Sequence, residues 1–495
     1  MSAIGPNDDT ARAWAYHNAT KHSESSIRSS PHYLDWANQP IPLKIYTTLE
    51  PIPLPRDAVQ TGISAISAIS ASGTESAGET SRTPALEDLA RILYFSAGIT
   101  KKKTYPGGEM YFRAASCTGA LYEIELYIVC GDLPGLPAGV YHFGPGDFAL
   151  RRLREGDHRG LLGLNAPVVV ACTGTYWRNA WKYRARTYRH FGWDNGTILA
   201  NMLAMTAALQ LPANVRCGFV DGDVNALLDL ETEREVAFSL VTIGESSSEP
   251  PPAPNLERLN FPTVPLSKSE VDYPELREIH AASSLEPGDG RLNSLIALQI
   301  REFRRPSPNF SVPEFPSDTI EQVILRRGSS RRFARKSITL DQLSTILDSS
   351  TSGIPADFPA LNDLYLIVNA VDGLDPGAYF YNQRDRKLEC LKPGEFRSDA
   401  RYLGLQQDLP GDAAVDVFFL AALDPIFETY GNRGYRAVNL EAGIVGGKVY
   451  LATYAQRLGA TGLTFFDDDV TRFFSPHAAD KSAIFLVALG KAGHL

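Results

Sequence analysis

One short segment late in the sequence has the composition of a phosphate-binding turn. Arg327–Phe333 reads Arg-Gly-Ser-Ser-Arg-Arg-Phe, so basic and hydroxyl side chains alternate around a glycine. Guanidinium groups bind phosphate oxygens through paired planar hydrogen bonds, a serine adds a hydroxyl donor, and a glycine lets the backbone come close. A solvated basic loop is the more ordinary interpretation of such a run taken alone. Both interpretations stay open on this segment.

The elements on either side of this segment should help to position it. An apolar turn, Val323–Leu325, comes directly before it. After it, Thr339 is placed to cap a helix whose apolar residues recur at the spacing of one buried face, namely Leu340, Leu343, Ile346 and Leu347. The segment is therefore expected to lie between an apolar turn and a helix.

Composition excludes several classes of protein. The chain has 495 residues, 44% hydrophobic and 21% charged, which allows two or three domains. A net charge of −9 gives no electrostatic support to a general nucleic-acid role. No apolar run approaches the roughly 18 to 20 residues of a membrane helix, so no membrane partner is expected.

The five cysteines lie far apart and form no CxxC pair, which argues against a zinc site or a disulfide framework. No metal is expected. Residues 1–22 show no apolar signal segment. Together these features predict a cytoplasmic protein.

Four parts are predicted along the chain. An N-terminal arm ending in a mobile Ser/Ala-rich loop (60–84) covers 1–84, a first α+β unit covers 85–245, a Pro-rich linker with one helix (Leu292–Phe303) covers 246–315, and a second unit covers 316–495. The predicted elements are helices at Thr10–Ala19, Ala85–Ala97, Thr197–Leu209 and Asp223–Leu230, and strands at Leu121–Val129, Gly139–Phe143, Ala166–Thr173 and Glu235–Ile243.

The second unit repeats motifs of the first at a nearly constant offset. Gly377–Tyr381 matches Gly139–Phe143, and Arg433–Arg436 matches Arg186–Arg189. A fixed offset over several motifs indicates duplication. Two copies of one α+β unit are expected to face each other across a pseudo-twofold axis, as two subunits of a homodimer do.

The two copies differ where chemistry would be expected. The first has Arg113–Tyr122, with an arginine, a serine and a cysteine, whereas the second has the shorter Pro355–Leu361 at the same place. The Arg327–Phe333 segment, in turn, has no basic counterpart in the first copy. Each copy therefore keeps what the other lacks, which predicts one complete cleft and one dead cleft.

These motifs, taken in order, resemble the nitroreductase-like flavoproteins, and most closely the SagB-type dehydrogenases that form thiazoles and oxazoles. The motifs that carry the resemblance span most of the chain and are Tyr16-His17, Tyr33–Trp36, Ser116–Tyr122, Lys182-Tyr183, Arg186–Arg189, Arg327–Phe333 and Arg433–Arg436. The resemblance implies two nitroreductase-like units in tandem, packed as an intramolecular dimer, with one FMN per chain.

The resemblance also implies which residues hold FMN. The family's phosphate turn corresponds to Arg327, Ser329 and Arg331, and a basic residue near the end of the sequence corresponds to Lys491. The remaining cofactor-binding residues that it implies are Arg113, Ser116, Cys117 and Gly119 of the first copy, and Gly462, Thr464 and Phe465 of the second. Ala115 stands where the family usually has proline.

A Lys-Tyr pair is associated with the base in SagB-type enzymes, and it corresponds here to Lys182 and Tyr183. A partly buried lysine near other cations has a lowered pKa and can act as a base. The second copy has Thr429 and Tyr430 at this place. A purely structural role for Lys182, as one charge among several arginines, is equally open.

Three functions follow from these observations. The first is an FMN-dependent oxidoreductase that dehydrogenates a C–N or C–C bond of a small molecule or modified peptide, with possible partner biosynthetic enzymes. The second is an NAD(P)H-dependent reductase of nitro or quinone compounds, and the third is a non-catalytic scaffold. A monomer and a homodimer are both compatible with the tandem arrangement.

Simpler roles are expected for several other conspicuous residues. Arg189 and Arg436 occur in both copies, which favours a structural role at the interface between them. His190 is expected to be a packing residue and Cys117 a small side chain that fills space. The three acids Asp467–Asp469 are expected to begin a helix before Val470 rather than to bind a metal.

Overall fold

Two antiparallel sheets, one in each half of the chain, organise the computed structural model. It describes residues 5–29, 32–56, 60–72, 82–105, 108–246, 249–289 and 318–493. The predicted helix Leu292–Phe303 lies outside these residues. The mixed α+β class is confirmed.

The first half contributes nine α-helices to the described residues: α1 (Ala11–Ala19), α2 (Glu24–Ser29), α3 (Ala65–Ala71), α4 (Leu86–Ala97), α5 (Arg159–Leu162), α6 (Tyr176–Tyr183), α7 (Thr187–Ala208), α8 (Asp221–Leu228) and α9 (Pro274–Ala282). Its strands are β1 (Ile52–Pro53), β2 (Ile99–Tyr105), β3 (Gly108–Arg113), β4 (Ile124–Cys130), β5 (Gly139–Gly144), β6 (Ala149–Glu155), β7 (Val168–Thr175), β8 (Ala213–Arg216) and β9 (Glu235–Ile243).

The helices described in the second half are α10 (Ile320–Arg326), α11 (Leu340–Ser350), α12 (Arg397–Leu403), α13 (Asp408–Asp412), α14 (Leu423–Tyr430), α15 (Arg433–Ala455) and α16 (Asp467–Phe474). Its strands are β10 (Ile338–Thr339), β11 (Asp363–Val368), β12 (Val371–Asp372), β13 (Gly377–Asn382), β14 (Lys387–Pro393), β15 (Val415–Ala421), β16 (Gly459–Leu463) and β17 (Ser482–Gly490). Short 3-10 helices lie at Pro6–Asp8, Trp36–Asn38, Thr118–Ala120 and Arg184–Arg186.

The strand order is the same in the two large sheets apart from one added edge strand. The first sheet runs β1-β6-β5-β4-β7-β9-β8, and the second runs β14-β13-β11-β15-β17-β16. All neighbouring strands within both sheets are antiparallel. Strand β7 is buried along its whole length because helices or loops cover both faces of its sheet, which explains its unbroken apolar sequence.

The largest hydrophobic cluster contains residues of both halves, so the inner faces of the two sheets share one core. Separate clusters lie on the outer faces, one around Val129 and Leu227 in the first half and one around Tyr365 and Phe418 in the second. Burial of apolar surface therefore holds the halves together as well as each half by itself.

Helices α7 and α15 run parallel and in register through the middle of the shared core. Gly192 lies against Asn439 and Gly196 lies against Gly443, and the contact continues one turn further along both helices. A methyl group at Gly196 would lie only 2.4 Å from the carbonyl carbon of Gly443. Glycine is required at this crossing because the two backbones touch.

The Ser/Ala-rich region 60–84 is not a loop throughout, which corrects the prediction. Residues 65–71 form α3, capped by Ser64, with Ala65, Ala68 and Ile69 buried. Small and apolar side chains at helical spacing allow this helix to lie close against its neighbours. This spacing indicates a helix, but the high serine content favoured the prediction of a loop. Residues 73–81 lie outside the described part.

The starts of α3 and α10 are joined by a reciprocal pair of backbone hydrogen bonds. The N–H of Ala65 donates to the carbonyl of Asp318, and the N–H of Ile320 donates to the carbonyl of Ile63, both at 3.0 Å. The two N-terminal caps, Ser64 and Thr319, therefore lie side by side. Equivalent positions of the two halves meet here.

Several predicted elements are confirmed with shifted ends. Helix α7 begins at Thr187, ten residues before the predicted start at Thr197, because the polar residues between them face buried partners. Strand β4 begins at Ile124 rather than Leu121, since the helical conformation of Leu121, which ends the 3-10 turn at Thr118–Ala120, and the positive φ of Tyr122 delay the start of the strand. Among the described residues, no helix is long and apolar enough to cross a membrane.

Candidate active site

The turn between β3 and β4 brings together four of the residues that sequence analysis proposed. Arg113 is buried, whereas Ser116 and Cys117 are half-buried and Gly119 is exposed. Gly119 has a φ of 64°, and Ala120 and Tyr122 also adopt positive φ. A sharp, strained turn of this kind is typical of functional sites and here turns the backbone toward the second half.

Arg327 joins this turn to the second half of the chain. Its Nε donates to the carbonyl of Ala114 at 2.9 Å, and its Nη2 donates to the carbonyl of Arg113 at 3.2 Å. Its Nη1 also contacts the carbonyl of Gly328. Much of the donor capacity of Arg327 is thus used within the protein, so this residue fixes the position of the turn and keeps few N–H groups for a ligand.

The hydroxyl of Tyr450 links two other predicted residues. It lies 3.4 Å from Oγ of Ser329 and accepts a short hydrogen bond from the backbone N–H of Gly462. Arg331 is exposed, and the half-buried Thr464 has a buried hydroxyl without a partner among the described residues. Tyr450 was missed by sequence analysis because a tyrosine within a long apolar helix reads as a core residue.

Phe465 and Lys491 differ in how they could contribute. The side chain of Phe465 is completely buried, 5.6 Å from the guanidinium of Arg186, so only its backbone can face a ligand. Lys491 is exposed, and its carbonyl accepts a hydrogen bond from the N–H of Ala334. Lys491 therefore lies beside the end of the Arg327–Phe333 segment.

Lys182 and Tyr183 end α6 on the opposite side of the same region. Burial, followed by the positive charge of Arg331, lowers the pKa of Lys182, which places the two cations near each other. A methyl group at Gly119 would lie 2.9 Å from Oη of Tyr183. The Lys-Tyr pair thus borders both the first-half turn and the second-half arginine segment.

Cys117 does more than fill space, which corrects that prediction. Its Sγ lies 3.3 Å from Oε2 of Glu123 and 3.4 Å from Oδ2 of Asp194, so the thiol can donate a hydrogen bond to these carboxyls. Asp194 also accepts hydrogen bonds from the backbone and side chain of Thr118. Neither carboxyl was singled out from the sequence, since Asp194 lies within a helix and Glu123 precedes a strand.

The corresponding segment of the second half, Pro355–Leu361, is hydrogen-bonded to the first half. The N–H of Val215 donates to the carbonyl of Pro355 at 2.7 Å, and the carboxylate of Asp357 accepts from the N–H groups of Cys217 and Gly218. Thr429 and Tyr430 end α14 as Lys182 and Tyr183 end α6. No lysine stands at that place in the second half.

Buried arginines tie each long helix to the opposite half. Arg186 and Arg189 bind Asp467, whereas Arg433 and Arg436 bind Asp221. This geometry agrees with the structural role that was predicted for the repeated arginines. Asp467 begins α16, as predicted for the acidic run, and in addition accepts the N–H of His22. His190 is buried, with Nδ1 2.8 Å from Oδ1 of Asn179.

Comparisons with known proteins match part of the chain to a family. Residues 324–491 match the model of the nitroreductase family. A protein of Methanocaldococcus jannaschii described as a nitroreductase is 25% identical over 171 residues, which are 32% of this chain and 85% of the relative.

Solved structures extend the likeness to the whole chain. A crystal structure from Anabaena variabilis, described as a nitroreductase, is 25% identical and has a TM-score of 0.76 over 97% of this chain and 99% of that one. A chain of the E. coli microcin synthetase complex covers 34% of this chain at 19% identity with a TM-score of 0.30. Residues 324–491 therefore match a nitroreductase-family domain, and the chain as a whole is similar in fold to the Anabaena variabilis protein.

Proposed function

We propose that the chain is an FMN-dependent dehydrogenase in which two tandem nitroreductase-like units form a dimer-like pair around a single flavin site. The observation that supports it best is the contact of Arg327, in the second half, with the Arg113–Ala114 backbone of the first. The two predicted walls of the site meet there, although they are more than two hundred residues apart in sequence.

The donor set at this contact suits a flavin phosphate and ring. Arg331 and Lys491 are exposed cations, Ser329 is an exposed hydroxyl, and Thr464 has a buried hydroxyl without a partner in the described part of the chain. Cations and hydroxyl groups bind phosphate oxygens, and an unpaired buried hydroxyl is costly unless a ligand satisfies it. In this proposal Arg331, Lys491 and Ser329 hold the phosphate, whereas Thr464 and the Gly462 backbone face the ring.

Bound FMN would supply the acceptor for a hydride from the substrate. The lowered pKa of Lys182 increases the fraction of its amine that is neutral. Lys182 would therefore take the proton that the substrate loses. Tyr183 would orient the substrate beside it. Arg327 would keep the first-half turn in place and thereby exclude water from one side of the site.

Flavin content tests the proposal most directly. We expect one FMN per chain in the purified protein, and a loss of most of it in Arg331→Ala combined with Ser329→Ala. Arg335→Ala is a matched control, because Arg335 follows the same segment but pairs with Asp412 at the surface. Two FMN per chain would contradict the single site, and no binding at excess FMN would contradict the function.

The electron donor distinguishes the dehydrogenase from a reductase of nitro or quinone compounds. Under anaerobic conditions we expect NADPH to bleach the bound flavin slowly, because the Lys-Tyr pair occupies one side of the proposed site. Rapid bleaching would instead favour the NAD(P)H-dependent reductase. The proposal also includes the substrate, a small molecule or a modified peptide, and partner enzymes that act on modified peptides.

A further inference from the structure

Two buried carboxyl groups and a thiol meet beneath the first-half turn, where the guanidinium of Arg113, which lines the adjoining cavity, donates to the backbone carbonyls of Ile124 and Pro42 instead. Glu123 is 0% exposed and Asp194 is 5% exposed. Among the described residues, neither carboxyl forms an ion pair, whereas the neighbouring Glu125 pairs with Arg178 at 2.6 Å. Two ionised carboxylates in contact inside a protein repel each other and lose their hydration, so one of them should hold a proton.

The surroundings of Asp194 favour its protonated form. Burial, followed by the charge of Glu123 and a hydrogen bond with it, raises the pKa of Asp194 far above its usual value. Burial and the same two carboxyls raise the pKa of Cys117, so its Sγ carries a proton that it can donate to them. The backbone N–H of Tyr122 donates to the same sulfur at 3.0 Å.

A small cavity beside the carboxyls provides an independent observation. It has a volume of about 10 Å³, roughly that of one water site, and Ser96, Cys117 and Asp194 are among the residues that line it. Ser96 is 0% exposed, and its hydroxyl has no partner in the part of the chain that the structure describes. A water molecule there would bind Ser96 and extend the hydrogen-bonded network.

Tyr183 borders this network. Its hydroxyl is next to Gly119 in the turn that also carries Cys117. Burial and the charges of Asp194, Cys117 and Glu123 raise its pKa, so the phenol is protonated and can only pass a proton on by receiving another.

We propose that Glu123 and Asp194 share one proton and act as the proton store of the site, exchanging protons with the substrate through Tyr183. The catalytic part rests on the proposed function, whereas the shared proton rests on the geometry of the cluster. In dehydrogenation the substrate gives a hydride to the flavin and a proton to Lys182. Lys182 passes that proton to the Tyr183 oxygen while Tyr183 releases its own proton to the free carboxylate, which leaves Lys182 neutral and both carboxyls protonated.

The second half offers a matched control. Glu441 occupies the place in α15 that Asp194 occupies in α7, but it accepts a hydrogen bond from the amide of Asn362 instead of meeting a second carboxyl. Burial raises the pKa of Glu441 to about 7. Glu441 should therefore lose its proton in mild alkali, whereas the Glu123–Asp194 pair should keep its proton.

Infrared difference spectroscopy on the purified full chain tests the shared proton. Between wild type and Asp194→Asn we expect loss of the carbonyl band of a protonated carboxyl at pH about 6 and at pH about 9. The difference between wild type and Glu441→Gln should show such a band only at the lower pH. Glu123→Gln serves as the second variant if Asp194→Asn does not fold.

Two results would overturn the shared proton. One is the absence of a protonated-carboxyl band from both the Asp194→Asn and the Glu123→Gln differences. The other is one divalent metal ion per chain in wild type, found by elemental analysis and missing from Asp194→Asn, because a cation would replace the proton.

The exchange with substrate is tested by the pH dependence of turnover. Asp194→Asn and Tyr183→Phe should shift the same limb of the pH–rate profile at unchanged flavin content, and Glu441→Gln should not shift it. An unshifted profile in Asp194→Asn would overturn the relay. Failure to bind flavin would overturn the proposed function, while the infrared result would still decide the shared proton.

Discussion

Arg189 and Asp467 form a buried ion pair of 2.7 Å between Nη1 and Oδ1, although one lies in each half of the chain. Arg436 and Asp221 repeat this pair with the halves exchanged, at 2.6 Å. Both carboxylates begin a helix, and each is bound by two arginines one turn apart. The interface between the halves is thus built twice from the same parts.

Removing one of these carboxylates should destabilise the whole chain. Asp467→Asn leaves Arg186 and Arg189 buried without a counterion, and we expect it to cost about 3 to 5 kcal/mol in the free energy of unfolding. Urea denaturation measures the change. Asp468→Asn is the control, because its exposed pair with Lys21 should contribute less than about 1 kcal/mol. Equal effects of both variants would contradict the role of Asp467.

The same ion pairs predict the acid limit of stability. Burial opposes ionisation of Asp467, but Arg186 and Arg189 outweigh it and lower the pKa to about 2. A carboxyl group whose pKa is lower in the folded chain stabilises the fold at pH values above its pKa in the unfolded chain. This stabilisation is lost as the pH falls toward about 2. Wild type should therefore lose stability between pH about 4 and about 2 more steeply than Asp467→Asn, measured by circular dichroism.

The buried Lys448 should make the free energy of unfolding depend on pH above neutrality. Its Nζ donates to the carbonyl of Gly353, and burial lowers its pKa to about 7. Between pH about 7 and about 10 the unfolded chain binds a proton that the folded chain does not, so stability should rise with pH. Lys448→Met should remove most of this rise in denaturant unfolding. A rise of the same size in the variant would contradict it.

The parallel crossing of the long helices should not tolerate a methyl group. Gly196→Ala would place its Cβ about 2.5 Å from backbone atoms of Gly443 and Ile444, so we expect a large loss of thermal stability. Gly222→Ala, in α8 with no atom within 4 Å, is the matched control and should be neutral or slightly stabilising. Similar melting temperatures for the two variants would argue against close contact.

Substitution of Lys182 should change turnover without changing the flavin content. If it is the base, Lys182→Gln should lower kcat by roughly 10²-fold or more at unchanged flavin content. Thr429→Ala, at the corresponding place in the second half, should leave turnover unchanged. A small effect of Lys182→Gln would instead assign it a structural role among the neighbouring arginines.

The sequence predicted the fold where periodic or repeated motifs carried the signal. The strands around Val140 and Val170 and the repeated arginines were recognisable because alternation, apolar runs and a constant offset are local features. Helix α3 was missed because serine content suggested a loop, whereas its alanines pack against neighbours that lie far away in sequence.

The site was predicted less completely. Segments such as Arg327–Phe333 were proposed from their composition, but the use of Arg327 as a link to the Arg113–Ala114 backbone depends on tertiary contact. Glu123 and Asp194 are single acids with no local motif, and only the fold brings them to Cys117. Their burial, which gives them chemical interest, cannot be read from neighbouring residues.

The parallel helices α7 and α15 belong to one polypeptide, and this has an evolutionary consequence. In a homodimer every substitution appears on both sides of the axis, so a residue that helps one site must be tolerated at the other. Here Lys182 and Thr429 can differ, as can Asp194 and Glu441. Because the halves cannot separate on dilution, their contact does not depend on protein concentration, and the residues on the two sides are free to diverge.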